Sequence, residues 1–250
     1  MKTEYISIVA DMHTHTLSSI HAFSTIEEMA RAAASRGLWG LGIAEHGPAI
    51  TGHTDYYFFY NTEVWPDTLH GVRLFRCCEA NILDTNGSLD IENRILQRLD
   101  FVLAGLHYGP FLLPQDTNRA WTTQAVLNVM DNPYVDCISH PCNPKYPLDY
   151  DAFVKKAAEK NILIEVNISS LCNTMRIGSR DNLRHLLRLA RTYGAGIIVN
   201  SDAHIASAVG LVEPGLELLK EEDISPEQII NSSQNRLMAF LRMKKKACAL

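Results

Sequence analysis

The sequence Asp11–His15 (DMHTH), with His21 six residues beyond it, is the stretch from which the fold is predicted. The apolar, β-branched segment before it, residues 6–9 (ISIV), predicts a strand that ends where the motif begins. Side chains two positions apart on a strand share a face, so we expect both imidazoles on one side, together with Asp11. Such a pair is able to hold a metal ion. An isolated pair is as often structural, and the rest of the chain decides between the two.

Ligand-type residues recur where further apolar segments end. Six more strands are predicted over residues 38–44, 72–78, 101–106, 135–139, 162–166 and 196–200, and the residues that follow them include His46, Glu79, His107, His140, Asn167, Asp202 and His204. In parallel α/β barrels this end of the strands carries the active site. A scatter of structural histidines would have no reason to follow that rule. We therefore predict an α/β barrel of seven strand–helix units, in one domain spanning 1–250.

Three local signals refine this prediction. Residues 24–27 (STIE) have the form of a capping box, which predicts that the first helix starts at Ser24. Asn86-Gly87 predicts a type I′ hairpin turn appended to the third strand. The aromatic-rich residues 49–70 are expected to form an ordered loop with a short helix.

Composition excludes several classes of protein. The 250 residues carry a net charge of −5, which argues against a nucleic-acid partner because such partners call for a basic face. No run of about 18 apolar residues predicts a membrane span, and the first residues lack the apolar core of a signal peptide. The six cysteines form no CxxC pair and are interpreted as mostly buried thiols. We expect a cytoplasmic protein without membrane contact.

The candidate ligands are seven imidazoles and two carboxylates. They are His13, His15, His21, His46, His107, His140 and His204, with Glu79 and Asp202, whereas His53, His70 and His185 are expected on the surface or in loops. Imidazole with carboxylate suits zinc, manganese or iron rather than an all-oxygen site. Nine ligands, one of them bridging, would fill three sites, most simply with zinc. Three divalent ions leave a net charge of about +3 after their ligands and a hydroxide are counted, which suits a phosphate dianion.

The order of the motifs resembles a known family. DxHxH, then EHGP, CEAN, GLHY, SHPCNPKY and SDAH, is similar to the polymerase and histidinol phosphatase (PHP) family, and most closely to its small stand-alone phosphatases of the YcdX type. The likeness runs from Asp11 to His204 and covers most of the chain. It implies a distorted seven-stranded TIM-like barrel, (β/α)7, and a trinuclear metal centre.

The resemblance also implies how the ligands are divided. One metal would be held by His13, His15, Glu79 and Asp202, a second by Glu79, His107 and His140, and a third by His21, His46 and His204. The implied function is hydrolysis of small phosphomonoesters by metal-bound hydroxide, with Asp202, Glu79 and His107 as catalytic residues. Arg176, Asn143 and Asn167 are candidates for substrate contacts, and Asp11 for orienting a histidine ligand.

Other functions stay open at this point. Histidinol phosphatase activity and an exonuclease-like activity both occur within the family, although the chain lacks a basic groove for the latter. An amidohydrolase commonly places a bridging lysine on strand four, where this chain has His107. A non-catalytic metal-binding regulatory domain would be expected to have lost ligands, and all nine are present.

Overall fold

Seven parallel strands form a nearly closed barrel, as predicted. The computed structural model describes residues 7–50, 54–107 and 118–248, with side chains as far as residue 244. The strands are β1 (Ala10–Thr14), β2 (Gly40–His46), β3 (Thr68–Leu69), β4 (Val72–Asn81), β5 (Phe101–Gly105), β6 (Cys137–Ile138), β7 (Leu163–Asn167) and β8 (Ile197–Asn200). The parallel strands follow the order β1-β2-β4-β5-β6-β7-β8. The short strand β3 pairs antiparallel with the beginning of β4.

Helices connect the strands on the outside of the barrel. They are α1 (Ile26–Ser35), α2 (Tyr56–Asn61), α3 (Asn93–Leu96), α4 (Arg119–Val129), α5 (Tyr150–Lys160), α6 (Ile168–Cys172), α7 (Ser179–Tyr193), α8 (Glu213–Glu221) and α9 (Gln234–Cys248). In the described ranges, none of them is both long and apolar enough to span a bilayer.

The first strand and the first helix both begin later than the sequence indicated. β1 contains His13 instead of ending before it, because its ladder partner β2 begins at Gly40, opposite Ala10. The cap of α1 is Thr25, which forms a capping box with Glu28. The hydroxyl of Ser24 instead accepts the backbone N–H of Ala206 at 3.0 Å. The boundaries predicted for these two elements were therefore wrong by a few residues.

The hairpin after β4 exists, but its turn is not type I′. An antiparallel bridge joins Ile82 to Leu89, and Leu83 N–H donates to Ser88 O at 2.9 Å. This leaves a four-residue loop, and only Gly87 in it has a positive φ, of 78°. A type I′ turn requires positive φ at both central residues. The Asp84 carboxylate accepts the N–H groups of residues 86 and 88 and so fixes the wider loop.

The barrel interior is apolar at one end and polar at the other. Phe75, Cys77 and Glu79 alternate along β4 and so share its inner face. The first two belong to a core cluster that includes Phe240 and Leu241 of α9, which closes the N-terminal end of the barrel. Glu79 lies beyond this apolar layer, so the opposite end is left for polar groups. The four cysteines in the core, 77, 78, 137 and 142, are buried thiols as predicted, and Cys172 is exposed.

The seam between β1 and β8 is held by side chains as well as backbone. Asn231 is fully buried, and its amide donates to Ala10 O at 2.8 Å and to Val199 O at 2.6 Å. The same side chain accepts from Val199 N–H at 3.1 Å. Asn200 Oδ1 accepts from Met12 N–H at 3.0 Å. These amides pair backbone groups of two strands that lie almost 190 residues apart in the chain.

We predict that Asn231→Leu destabilises the protein by about 3 kcal/mol, because three buried backbone groups lose their partner although the branched shape of the side chain is kept. Asn93→Ala is the matched control, since Asn93 is exposed and only accepts from Asn132. Its cost should stay below about 1 kcal/mol. Urea unfolding measures both free energies, and equal losses would show that the seam does not depend on Asn231.

Candidate metal centre

The nine predicted ligands meet at the C-terminal end of the barrel. His13 lies on β1, His46 ends β2 and Glu79 lies on β4. The remaining ligands follow strands: His15 and His21 follow β1, His107 follows β5, His140 follows β6, and Asp202 and His204 follow β8. Each of them has a nitrogen or oxygen atom within 3.3 Å of one from another member of the set. Chain segments almost 200 residues apart therefore supply one cluster.

Four donor atoms form the first set: Nε2 of His13, Nε2 of His15, Oε2 of Glu79 and Oδ1 of Asp202. The two nitrogens are 3.1 Å apart, and His13 Nε2 is 3.2 Å from Glu79 and 3.6 Å from Asp202. His15 Nε2 is 3.6 Å from the Glu79 oxygen and 3.3 Å from the Asp202 oxygen. Ligands of a tetrahedral zinc ion at 2.0–2.1 Å would be about 3.3 Å apart. The spacing of this set matches that value.

The second set uses the other oxygen of Glu79. Glu79 Oε1 is 3.0 Å from His107 Nε2 and 2.8 Å from His140 Nε2, and these two nitrogens are 3.2 Å apart. These distances again match the edge of a metal coordination shell. Glu79 therefore presents one oxygen to each set, as expected of a bridging carboxylate.

Of the remaining histidines, His21 and His204 lie nearer the solvent, whereas His46 is buried. His21 Nε2 and His204 Nε2 are 2.6 Å apart, and ligand atoms of His15, His46 and His204 lie within 4.8 Å of one another. His46 also lies close to the first set, with its Nδ1 3.0 Å from Glu79 Oε2. Substitution of His46 would thus disturb Glu79 as well, and His21 is the cleaner probe of this outer group.

Electrostatics in the cluster favour anionic carboxylates. Burial would raise the pKa of Glu79, but neighbouring imidazoles, above all those of His107 and His13, hold it well below its ordinary value. The pKa of Asp202 is likewise well below its ordinary value despite burial, chiefly because of His13. Burial acts to lower the pKa of His13, yet Glu165, Glu79 and Asp202 raise it well above its usual range. The three carboxylates around His13 therefore outweigh the effect of its burial.

Burial has a different outcome for three further imidazoles of the cluster, because it favours their neutral form, which binds metals. Burial lowers the pKa of His46 to about 3, and it lowers the pKa values of His15 and His140 below the ordinary range. Neutral imidazoles and ionised carboxylates are the ligand states that a divalent metal requires. The donor types, their protonation states and their spacing all fit a divalent metal ion.

Further side chains, which the sequence did not single out, orient the ligands. Glu165 is fully buried on β7, and its Oε1 accepts from Nδ1 of His13 at 2.7 Å. Asn81 Oδ1 accepts from Nδ1 of His107 at 2.7 Å. In both histidines the hydrogen on Nδ1 is thereby fixed by an acceptor, and Nε2 faces Glu79. The sequence does contain one indication of this role, the carboxylate of Glu165 within the apolar strand residues 162–166. A carboxylate needs a partner when it is buried.

Glu45 plays a similar part for the loop that carries His21. Its buried carboxylate accepts from the backbone N–H of Thr16 at 2.9 Å and from the hydroxyl of Ser19. The Ser19 hydroxyl also lies 3.4 Å from Nδ1 of His15. The sequence again contains an indication of this role, because Glu45 is a charged residue in an apolar strand directly before His46.

Asp11 does not orient a histidine, so that interpretation was wrong. Its carboxylate accepts from the backbone N–H and hydroxyl of Ser201 and from the N–H of Gly210. It therefore fixes the turn after β8 that carries Asp202 and His204. Asp202 in that turn has a φ of 56°, and His140 has a φ of 33°. Such backbone strain persists where surrounding contacts impose it and is common at functional sites.

The three candidates for substrate contacts differ in their surroundings. Arg176 is partly exposed, donates to Ser170 Oγ at 2.7 Å and has its Nη1 3.9 Å from Asp202 Oδ2. Asn167 donates to Glu165 and to Asp202 at 3.0 and 3.2 Å and caps α6, so its side chain is occupied in positioning those carboxylates. Asn143 is buried and accepts from Lys145 N–H within the loop after β6.

The histidines left out of the site are accounted for where the structure describes them. His70 is hydrogen-bonded to Glu27, and the ring of His185 contacts Tyr150. Both contacts lie outside the cluster. His53 lies outside the described residues.

Comparison with known proteins agrees with this geometry. Parallel strands whose carboxyl ends carry clustered histidines and carboxylates define a metal-binding barrel. The PHP domain model matches residues 11–222, and the chain belongs to this family. It is 43% identical over 238 residues to a probable phosphatase of Clostridium novyi (strain NT), covering 95% of this chain and 96% of the relative. A probable phosphatase of Acetivibrio thermocellus is 40% identical over 243 residues, covering 96% of this chain and 98% of the relative.

A solved structure shares the fold. The histidinol phosphate phosphatase of Lactococcus lactis subsp. lactis Il1403, crystallised with zinc, L-histidinol and phosphate, has a TM-score of 0.63. The alignment covers 86% of this chain and 94% of that one, at 16% identity. At this identity the likeness shows the fold.

We predict that Glu165→Gln weakens metal binding about 10- to 100-fold, because the neutral amide no longer stabilises His13 as a donor from Nδ1. Glu92→Gln is the control, since Glu92 is exposed and pairs with Arg94. Competition with a chromogenic chelator measures the affinity of both variants. Unchanged affinity in Glu165→Gln would show that His13 is oriented by other contacts.

Proposed function

We propose that this protein is a metal-dependent phosphatase that hydrolyses small phosphomonoesters. The observation that carries the proposal is the pair of donor sets on the two oxygens of Glu79. Membership of the PHP family and relatives named as probable phosphatases support it. The fold neighbour that holds zinc and phosphate supports the choice of cofactor and substrate class. We further propose that residues 1–250 act as one PHP domain in the cytoplasm.

The residues divide into three metal sites in this proposal. His13, His15, Glu79 and Asp202 would hold one ion, and Glu79, His107 and His140 would hold a second. His21, His46 and His204 would hold the third, with zinc proposed for all three and manganese or iron as the alternatives. When bound, the ions would supply positive charge for the phosphate. They would also lower the pKa of a water molecule, so that hydroxide is available near neutral pH to attack phosphorus.

The protein's own side chains fix the positions of these ligands. Glu165 and Asn81 set the ring orientation of His13 and His107. Asn167 donates to Asp202, and the Arg176 guanidinium lies on the same side of that carboxylate, close to its Oδ2. We therefore propose that Arg176 binds a phosphate oxygen as it enters beside Asp202. A planar guanidinium suits this contact because it offers two parallel donors.

We predict that Glu79→Ala and Asp202→Ala each lower kcat/KM for 4-nitrophenyl phosphate by at least about a hundredfold, because each removes an anionic ligand from the first set. Elemental analysis should find about three metal ions per chain in the wild type and fewer in both variants. His185→Ala is the control, since His185 lies on α7 beside Tyr150. Equal losses in all three variants would place the site elsewhere.

We predict that Arg176→Ala raises KM and the inhibition constant of inorganic phosphate by roughly tenfold, because one charge-assisted contact is lost. Arg176→Lys should recover part of this loss through its charge without the second donor. Arg180→Ala is the control, because Arg180 is exposed and pairs with Glu221. An unchanged phosphate inhibition constant in Arg176→Ala would exclude the contact.

A further inference from the structure

Several large apolar side chains are exposed in the segments that follow the strands, and five of them lie close in sequence to His21, Arg176 or His204. Ile20, Phe23, Met175, Ile177 and Ile205, here called the apolar rim, are between 46% and 84% exposed. All five belong to loops at the C-terminal end of the strands, the end that carries the ligands. Exposed apolar groups concentrated beside a polar site commonly mark a binding surface.

On one side, the rim is built around the outer histidine pair. Ile20 and Phe23 flank His21 in the loop after β1, and Ile205 follows His204. The N–H of Phe23 donates to the carbonyl of His204 at 2.8 Å, which joins the two loops. The two loops that carry these apolar residues therefore meet beside the His21–His204 pair, whose Nε2 atoms are 2.6 Å apart.

On another side, the rim is built around Arg176. Met175 and Ile177 flank this residue, and both are more exposed than Arg176 itself. The guanidinium of Arg176 is 3.9 Å from Asp202, and Nδ1 of His204 is 3.5 Å from the same residue. Asp202 thus lies between the two apolar parts of the rim.

The depth of the centre determines where a substrate's organic group can lie. The first donor set is buried, and the apolar layer of the barrel closes the space below Glu79. A phosphate bound at the donor sets must therefore direct its ester group outward, between the rim residues. Exposed apolar surface beside a cationic site suits an occupant that carries an anion at one end and an apolar group at the other.

We propose that the rim binds the organic group of the substrate, and that the substrates are phosphomonoesters of aromatic or aliphatic alcohols rather than of polyols. This inference rests on the proposed phosphatase function and specifies its substrate class. Phe23 is the central specificity residue, since it has the largest side chain of the rim, is 71% exposed and is joined through its backbone N–H to His204.

The test compares two non-hydrolysable anions, benzylphosphonate and methylphosphonate, by calorimetry with the metal-loaded protein. Wild type should bind benzylphosphonate at least about tenfold more tightly, from the additional apolar area buried on binding. Phe23→Ser should reduce this preference severalfold without changing the affinity for methylphosphonate, and Phe23→Leu should keep most of it. Val64→Ser is the matched control, because Val64 is 78% exposed in the segment Thr62–Val64, outside the rim.

Hydrolysis of 4-nitrophenyl phosphate, assayed in parallel, separates this proposal from the phosphatase assignment. Turnover by wild type with equal affinities for the two phosphonates would overturn the apolar substrate class alone. A benzyl preference that depends on Phe23, without any turnover, would support the rim and overturn the phosphatase. A third outcome would also overturn the proposal: the wild type is a dimer, and Phe23→Ser converts it to a monomer without changing the benzyl preference. The rim would then be a contact between copies of the chain.

Discussion

Glu79 is a carboxylate buried at the polar end of the barrel, with imidazoles of four other strands or strand ends within hydrogen-bonding distance. An ion buried in this way costs several kcal/mol unless charges or hydrogen bonds compensate it. We propose that metal ions held between Glu79 and the imidazoles of His13, His46, His107 and His140 would supply this compensation, since the nitrogens of these rings are 2.8–3.2 Å from its oxygens. A parallel barrel supplies these partners because every strand delivers its C-terminal residue to the same end. The arrangement of the strands therefore also determines which side chains surround Glu79.

A second constraint is the closure of the barrel between β1 and β8. Thr14 and Ala203 form a parallel bridge there, and Asn231 and Asn200 pair backbone groups across the seam. The first donor set draws ligands from both sides of this seam, since His13 lies on β1 and Asp202 follows β8. Loss of the seam would therefore separate residues that we propose bind a single metal. Fold stability and metal binding are coupled at this point.

Much of this arrangement could be predicted from the sequence, because local patterns determine it. The strand predicted over residues 101–106 is observed as Phe101–Gly105, and ligand-type residues follow the strands as expected. The cap of α1 was misplaced because Ser24 and Glu27 have partners elsewhere, Ala206 and His70. Glu165 was missed because its role depends on His13, 152 residues away. Contacts between residues so far apart in the chain produce no periodic pattern in a single sequence. The only indication was a carboxylate in an apolar strand.

The central claim is that Glu79 bridges two metal ions with its two oxygens. Crystals of zinc-loaded protein, measured at the zinc absorption edge, test it directly by anomalous scattering. The account predicts one anomalous peak beside Oε2, within reach of His13, His15 and Asp202, and another beside Oε1, within reach of His107 and His140. A single peak at Glu79, or peaks that do not contact its carboxylate, would contradict it.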